Sequence, residues 1–361
     1  MKKTTSKKKK LRLSLIIAVT AVVLLVTALV VILTQCTGGY YKPVESTERE
    51  ATPVFRLGEH TVNFEVLRAF FYSECLNSPD YSDTYFTGAE GEARFAAVKE
   101  AAIRDIAEIY ALLTLCEGKG IDTESEEILT AVDENVKTSV DGGTFGEYEI
   151  RGFDSYREYL AYLEREFHMN DAVNRLMMRY AVCEDALNDY YELGHPYTEA
   201  DVRAFFESED CVRLLWVSRF DTSGGLDRAE NLRLMSLARG KLLSADPHKA
   251  LQYSLEPTTD FYLGRYTLDK AYYAPLIRAV YALPDGGVTE VIDLGSEGLF
   301  VARRMEKSAQ DLSSRYEELT RVYLGDVMYG EVERIANEFL QGIVYEDFYH
   351  SLTAEDILSE S

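Results

Sequence analysis

The sequence has few of the residues from which most small catalytic or metal sites are built. It has 361 residues with only five histidines, which are scattered, and five cysteines. The cysteines beyond residue 36 form no CxxC pair and have no histidine at ligand spacing, which argues against a zinc site. The sequence contains no P-loop, GxGxxG, GxSxG or HExxH motif, so nothing in it indicates nucleotide, hydrolase or redox chemistry. We expect no cofactor and no metal.

Basic side chains are scarce outside the first twelve residues. The formal net charge is −23, from 38 Lys and Arg against 61 Asp and Glu. Seven of the basic side chains lie in residues 1–12, which leaves a net charge of −30 on the rest of the chain. A chain this acidic gains no affinity by releasing counterions from phosphate groups. Nucleic acid is therefore excluded as the main partner.

Charged residues are also absent from positions 13–33, directly after the basic block. As a helix these residues would extend about 32 Å, which matches the hydrocarbon core of a bilayer. The basic block places the N-terminus in the cytoplasm and the following chain outside. We predict a cytoplasmic tail over 1–12, a transmembrane or signal-anchor helix over 13–35, and a single-pass protein of the cell membrane whose bulk is extracytoplasmic.

The predicted span ends in Leu33-Thr34-Gln35-Cys36. This ending is similar to a bacterial lipoprotein box, in which the cysteine is lipidated after cleavage. The position before the cysteine should hold Gly, Ala or Ser, and Gln35 stands there. We therefore favour an uncleaved span, with a lipid anchor on Cys36 as the alternative. Both interpretations leave an anchored ectodomain.

Beyond the span the hydrophobic pattern changes twice. Residues 36–52 are polar and predict a linker. The apolar residues of 53–196 recur mainly at helical spacing, after two short β-like stretches. One of the helices begins at Ser155 and is predicted to continue to about Tyr190. Cys75 and Cys116 fall on apolar helical faces, where a cysteine is usually a small buried hydrophobe.

Residues 211–305 have a different pattern, in which short β-like runs alternate with helical ones. The order β-α-β-α-β-β is typical of a small α/β domain. After it, one long helix is predicted from Ser314, with Glu317 completing a capping box, to about Leu340. The apolar stripe of this helix has to be buried against another element, and we expect it to pack against the helical region 53–196.

Four stretches between residues 197 and 306 together form one pattern of apolar, glycine and hydroxyl positions along the chain. They are Val212-Arg213; Ser254 ahead of Leu263-Gly264-Arg265-Tyr266; Leu276-x-x-Ala279-x-Tyr281-x-Leu283-x-x-Gly286-x-x-Thr289; and Gly298-Leu299-Phe300-Val301. This spacing resembles that of a parvulin-type peptidyl-prolyl isomerase domain. The helical region before it and the long helix after it are similar to the layout of the PrsA/SurA-like foldases.

This resemblance implies an α+β fold. A mainly helical, chaperone-like domain similar to the N-terminal domain of SurA would cover 53–196. A parvulin-like α/β domain over 197–306 would be inserted into it, and a C-terminal helix within 307–361 would pack back onto it. One transmembrane helix would precede these parts.

The resemblance also identifies site positions. Parvulins place two histidines back to back behind a proline pocket, and those positions match Trp216 and Phe300. The catalytic candidates that remain are Glu256, at a Cys-or-Asp position, and Tyr262, at the Asp of a GGDLG motif. The pocket that binds the peptide would be formed by the residues that match its apolar positions. These are Tyr272, Leu276 and Tyr281.

Three functions stay open at this point. The first is an extracytoplasmic chaperone or foldase that binds unfolded or proline-containing exported polypeptides, with a degenerate parvulin domain. The second is an active prolyl isomerase that uses a variant site with Glu256 and Tyr262. The third is a structural component of an envelope assembly with one stoichiometric partner. A dimer is compatible with each of them.

Overall fold

A computed structural model describes most of the chain beyond residue 40. The described residues are 41–78, 81–82, 84–145, 148–150, 152–219, 228–255, 260–266, 270–294 and 298–359. The predicted tail (1–12), the predicted span (13–35) and Cys36 lie outside them. Of the helices within the described ranges, none is both long enough and apolar enough to cross a membrane.

Four short strands and a series of helices make up the first part of the described chain. β1 (Pro53–Leu57) pairs antiparallel with β2 (His60–Asn63), and Gly58 turns between them at φ 58°, a left-handed conformation that favours glycine. The elements that follow are α1 (Phe64–Leu76), α2 (Gly91–Gly118), α3 (Glu126–Asp141), β3 (Gly143–Phe145), β4 (Tyr148–Ile150), α4 (Tyr156–Phe167), α5 (Asp171–Gly194) and α6 (Glu199–Glu207).

One predicted helix is two helices in the structure. The sequence pattern predicts a single helix from Ser155 to about Tyr190, but α4 ends at Phe167 and α5 begins at Asp171. His168 between them adopts a left-handed conformation at φ 50°. The side chain of Asn170 then accepts a hydrogen bond from the backbone N–H of Val173 at 3.1 Å and caps α5. The continuous-helix prediction was wrong.

The second part contains a four-stranded antiparallel sheet. Its strands lie in the order β6-β5-β8-β7. Along the chain, the order of strands and α-helices is the predicted β-α-β-α-β-β, although β7 is only two residues long. The elements are β5 (Cys211–Arg219), α7 (Arg228–Leu242), a 3-10 helix (Pro247–Tyr253), β6 (Phe261–Gly264), α8 (Lys270–Tyr281), β7 (Ile292–Asp293) and β8 (Leu299–Met305). Helices combined with small sheets confirm the mixed α+β class.

The C-terminal part starts with the short helix α9 (Asp311–Ser314), followed by the long helix α10 (Tyr316–Gln341). The predicted capping box was wrong, because Ser314 ends α9 and Arg315 precedes α10 without a side-chain cap. The chain then forms β9 (Val344–Tyr345), α11 (Asp347–Ser351) and α12 (Ala354–Leu358). β9 pairs antiparallel with β1 and so completes the first sheet.

Helix α10 contributes to the hydrophobic core of the first part. Met328 is fully buried, and Leu324 and Val332 are nearly so. All three belong to the core cluster that contains Ile106 of α2 and Leu187 of α5. The spacing of four residues places them on one face of α10, which packs against α2 and α5.

Residues 41–52, predicted as part of a linker, contact the helices. The backbone N–H of Val44 donates to Asp171 at 2.7 Å, and Arg175 donates to the carbonyl oxygen of Tyr41 at 2.7 Å. The rings of Tyr41 and Tyr156 stack with their centroids 4.6 Å apart. The polar composition of this segment is compatible with fixed structure because it makes hydrogen bonds with α5 and a ring contact with α4.

The four cysteines of the described chain are free thiols. Cys75, Cys116, Cys183 and Cys211 are all fully buried, as the apolar helical faces predict for the first two. The thiol of Cys116 lies 3.5 Å from the carbonyl oxygen of Cys183. Burial raises the pKa of Cys75 and that of Cys211 to about 12, which keeps both as neutral thiols.

A partly buried group of charges joins the second sheet to the start of α10. Arg213 on β5 contacts Asp260 at 2.6 Å and Asp311 at 3.0 Å. Arg315 contacts Asp260 at 2.8 Å and lies over the ring of Tyr262 at 4.7 Å. Since these side chains are 20% exposed or less, salt screens them less than it screens surface pairs.

The same junction includes a close approach at the end of β6. A Cβ atom on Gly264 would lie 2.8 Å from the Cβ atom of Asp326 and 2.5 Å from its Oδ1. Gly264→Ala should therefore destabilise the protein by about 1–3 kcal/mol, because the sheet or α10 has to shift. Urea unfolding monitored by circular dichroism measures the effect.

Gly240→Ala is the matched control, because Gly240 lies in α7 with no atom within 4 Å of its ideal Cβ position. It should be neutral or stabilise by up to about 1 kcal/mol, since alanine has the higher helix propensity. Equal unfolding free energies for the Gly264 variant and the wild type would contradict the close approach.

Asp260 makes the stability of this junction depend on pH. Burial by itself would raise the pKa of Asp260, but the hydrogen bond and charge of Arg213 and the charge of Arg315 hold that pKa below its usual value. Its carboxylate therefore stabilises the fold above the unfolded-state pKa of about 3.9 and loses this effect as the pH falls through the lower folded-state pKa.

Asp260→Asn should lower the thermal midpoint at neutral pH and make it fall less steeply below about pH 4. Scanning calorimetry from neutral to acidic pH measures both changes. Asp189→Asn, at an exposed position on α5, should leave the curve of the wild type unchanged. Parallel curves for the Asp260 variant and the wild type would show that the carboxylate is not stabilised in the folded state.

Candidate functional site

The second sheet has two faces with different helical partners. Side chains alternate along β5, so Val212, Leu214 and Trp216 lie on one side and Leu215 and Val217 on the other. The first side packs against α8, and we refer to it as the α8 face. The second side packs against α7 and is referred to as the α7 face.

Trp216 and Phe300 meet on the α8 face. Because Trp216 pairs with Ala302 and Ser218 pairs with Phe300, the two rings are diagonal neighbours on adjacent strands. Their centroids are 5.7 Å apart, with the planes at 64°. Phe261 of β6 adds a third ring, 4.9 Å from Trp216 at 69°. This edge-to-face packing is favourable for aromatic rings.

Leu276 also lies on the α8 face. It is 1% exposed, and it packs in the cluster that contains Phe300 and Val280. The structure therefore places Trp216, Phe300 and Leu276 in one hydrophobic cluster. Tyr272 lies one turn earlier on α8, but its side chain is outside the described part of the chain.

Tyr281, the third predicted peptide-binding residue, is at the end of α8 and is held by local contacts. Its hydroxyl donates to the carbonyl oxygen of Asp210 at 2.8 Å, and Arg265 lies over its ring at 5.1 Å. Burial raises the pKa of Tyr281, and the negative charge of Asp326 raises it further. The hydroxyl is therefore neutral and already makes a hydrogen bond within the protein.

Tyr262 does not join the other candidates. On β6, Phe261 and Leu263 face α8, so Tyr262 between them lies on the opposite side of the sheet. Its hydroxyl donates to Asp311 at 2.7 Å, and the residue is 3% exposed. Burial raises the pKa of Tyr262, and so does this hydrogen bond. In this position Tyr262 supports the junction with α10 and is turned away from Trp216.

Glu256 lies outside the described residues. The residues just before it run beside β5, where the backbone N–H of Ser218 donates to the hydroxyl of Ser254 at 3.3 Å. The backbone N–H of Leu255 in turn donates to the carbonyl oxygen of Ser218 at 3.2 Å. Ser254 and Leu255 therefore lie beside the first strand of the sheet.

A groove with a volume of about 680 Å³ lies in the first part of the molecule, where α2, the end of α10, β9 and α11 meet. The pairing of β9 with β1 brings Tyr345 opposite Phe55. One turn later on α11, Tyr349 stacks on Tyr345 with the centroids 4.4 Å apart. The aromatic and aliphatic side chains that line the groove are Phe95, Ile103, Leu340, Tyr345 and Tyr349.

The sequence analysis did not identify this groove. Two local signals point toward it, namely the helical spacing of Phe95, Lys99 and Ile103 and the pair Tyr345 and Tyr349. Neither signal alone indicates a binding surface, because the groove needs residues that are far apart along the chain. In the part of the chain that the structure describes, no three His, Cys, Asp or Glu side chains are grouped so that they could hold a metal ion.

This chain is only distantly similar to known proteins. No family model matches the chain, and no curated protein matches it. Among solved structures, it is similar to PrsA from Bacillus subtilis, with 12% identity over 70% of this chain and 87% of that one and a TM-score of 0.26. The foldase protein PrsA from Streptococcus pneumoniae gives 14% identity, 83% and 97% coverage and a TM-score of 0.29.

The peptidylprolyl isomerase PrsA from Bacillus cereus gives 12% identity over 85% of this chain and 96% of that one, with a TM-score of 0.21. Each of the three structures has a TM-score below 0.5. Likeness at this level does not indicate a function, and the contacts of this chain have to do so.

Proposed function

We propose that this protein is a membrane-anchored, extracytoplasmic chaperone or foldase that binds unfolded exported polypeptides. Its second sheet would belong to a degenerate parvulin-like domain. The observation that carries the proposal is the packing of Trp216 against Phe300, at the two positions that match the histidines of a parvulin. The described residues of the α8 face supply mainly aromatic and aliphatic surface there.

This packing bears directly on catalysis. Rotation about an amide bond has a barrier of about 18–20 kcal/mol, and an isomerase lowers it with hydrogen bonds and a local electric field at the bond. Aromatic rings in edge-to-face contact produce a weaker electric field at the amide bond than two imidazoles would. The nearby hydroxyl of Tyr281 is engaged by Asp210. We therefore expect weak or no isomerase activity.

The groove supports the binding part of the proposal. Its aromatic side chains have few rotatable bonds and can contact many different sequences at a small loss of entropy. Its volume of about 680 Å³ is large enough for several side chains of an extended polypeptide. A binding site of this kind needs no catalytic group, which agrees with the scarcity of catalytic motifs.

The anchor is proposed from the sequence alone. An uncharged stretch over 13–33 follows a block with seven basic side chains. Such a segment would hold the groove close to the outer surface of the membrane, where exported chains emerge unfolded. The net charge of −30 on the rest of the chain would keep the ectodomain away from anionic lipids.

The alternative is an active prolyl isomerase with a variant site. In favour of it, the hydrogen bonds of Ser254 and Leu255 bring the segment before Glu256 beside the first strand of the sheet. Against it, Tyr262 lies on the opposite face and so cannot act together with a group on the α8 face.

The full-length protein should suppress aggregation of a chemically unfolded client at a few-fold molar excess, as measured by light scattering. Leu340→Asp places a charge in the groove and should reduce this suppression severalfold, because the apolar lining is lost. Leu237→Asp, at an exposed position on α7, is the matched control and should suppress like the wild type. No suppression by the wild type would refute the proposed function.

A protease-coupled assay on a proline-containing peptide separates the two candidate functions. We expect the full-length protein to leave the rate of cis-to-trans conversion close to the uncatalysed rate. A clear acceleration that Glu256→Ala abolishes would instead establish the isomerase.

A further inference from the structure

Lys99 is the unusual residue of the groove. It lies on α2 and is half-buried, and its ammonium nitrogen is 3.8 Å from the ring centroid of Tyr349 and 4.9 Å from that of Phe95. A cation over aromatic faces is attracted by their quadrupoles, but these contacts replace only part of its hydration. Burial accordingly lowers the pKa of Lys99.

No described carboxylate forms an ion pair with Lys99. Arg104, further along the same helix and also lining the groove, has none in the described chain either. Most of the other arginines and lysines of the described chain do have carboxylate partners. The acidic side chain of the lining is Glu100, which is exposed and raises the pKa of Tyr345 through its charge, after the larger effect of burial. The lining thus holds two cations and one carboxylate.

This local balance is opposite to that of the rest of the protein. Beyond residue 12 the chain carries 31 basic and 61 acidic side chains. An acidic polypeptide is repelled by most of such a surface, whereas in the groove it meets two cations that lack ion pairs with described residues. Charge complementarity therefore indicates an anionic occupant for this groove.

We propose that the groove selects an extended polypeptide segment with an acidic side chain, whose carboxylate binds the ammonium group of Lys99. This inference rests on the proposed function and adds the chemical class of the preferred client. Because Lys99 is half-buried, part of its hydration is already lost in the free protein, which lowers the further desolvation cost of binding a carboxylate.

The position of Lys99 favours an internal side chain over a chain terminus. Phe95 lies one turn before it on α2 and Ile103 one turn after it, so the lining continues on both sides. The amide side chains of Asn337 and Gln341 line the opposite wall on α10. They can donate to and accept from the backbone of an extended chain that passes along the groove.

The test uses short extended peptides of leucine, phenylalanine and serine with both ends blocked, which differ only in one central Glu or Gln. Fluorescence anisotropy with the full-length protein should show that the Glu peptide binds about tenfold more tightly. Lys99→Met should remove this preference, and Lys99→Arg should retain it. Lys137→Met, at an exposed position on α3, is the control and should leave it unchanged.

Equal affinity for the two blocked peptides would overturn the inference, and so would a preference that persists in the Lys99→Met variant. A third peptide with Gln at the centre and a free C-terminal carboxylate tests the other source of negative charge. If only this third peptide binds more tightly, and the gain depends on Lys99, the groove binds chain ends and the inference is wrong. If aggregation is suppressed while the peptides bind alike, the inference fails and the proposed function stands.

Discussion

Helix α10 is the element on which the arrangement of the whole chain depends, because it packs on both parts at once. Near its start, Leu319 is buried with Phe205 of α6 and Tyr262 of β6. Further along, Met328 enters the core formed by α1, α2 and α5. A helix of 26 residues with apolar side chains in two directions is stable only if both partners are present. The sheet and the helical part are therefore coupled through α10.

This coupling has a consequence for the groove. The last turns of α10 form one wall, and the chain that follows returns to β1 through β9 and carries Tyr345 and Tyr349 into place. Contacts at the start of α10, such as that of Asp260 with Arg315, therefore act on the same rigid element that shapes the groove. Weakening the junction should disturb the shape of the groove as well as the stability of the fold.

The aromatic packing on the α8 face stabilises the sheet differently from a pair of histidines. A buried pair of imidazoles has to be hydrogen-bonded, since burying a polar group without a partner is unfavourable. The ring of Phe300 has no polar atom and needs no such partner, whereas Trp216 has one donor, its indole N–H. Burying a large apolar side chain stabilises a fold by about 1.5–3 kcal/mol. Under the proposed function such packing would suit a protein that acts by binding, whereas an isomerase of the parvulin type would need polar groups at these positions.

Much of this architecture could be predicted from the sequence, because hydrophobic periodicity determines local structure. The helices that carry Phe64 and Val132, the order of strands after Cys211, and the meeting of Trp216 with Phe300 follow from spacing and from the family resemblance. The break in the helix at His168 could not be predicted in this way, since a positive φ at a non-glycine residue has a weak sequence signal.

The position of Tyr262 and the existence of the groove could not be predicted from hydrophobic periodicity either. In a strand of four residues, one shift in register exchanges the two faces, so the pattern of β6 does not determine which face receives the hydroxyl. The groove joins Phe95 to Tyr345 across most of the chain, and no local pattern reports a contact between such distant residues.

The measurement that tests the central claim most directly is site-specific photocrosslinking with a probe at Gln341, in the groove, compared with one at Leu237 on α7. The account predicts that the probe at Gln341 crosslinks to an unfolded client and not to the same client in its native state. It also predicts that the probe at Leu237 crosslinks to neither. Crosslinking at both positions alike, or to the native client as strongly as to the unfolded one, would contradict it.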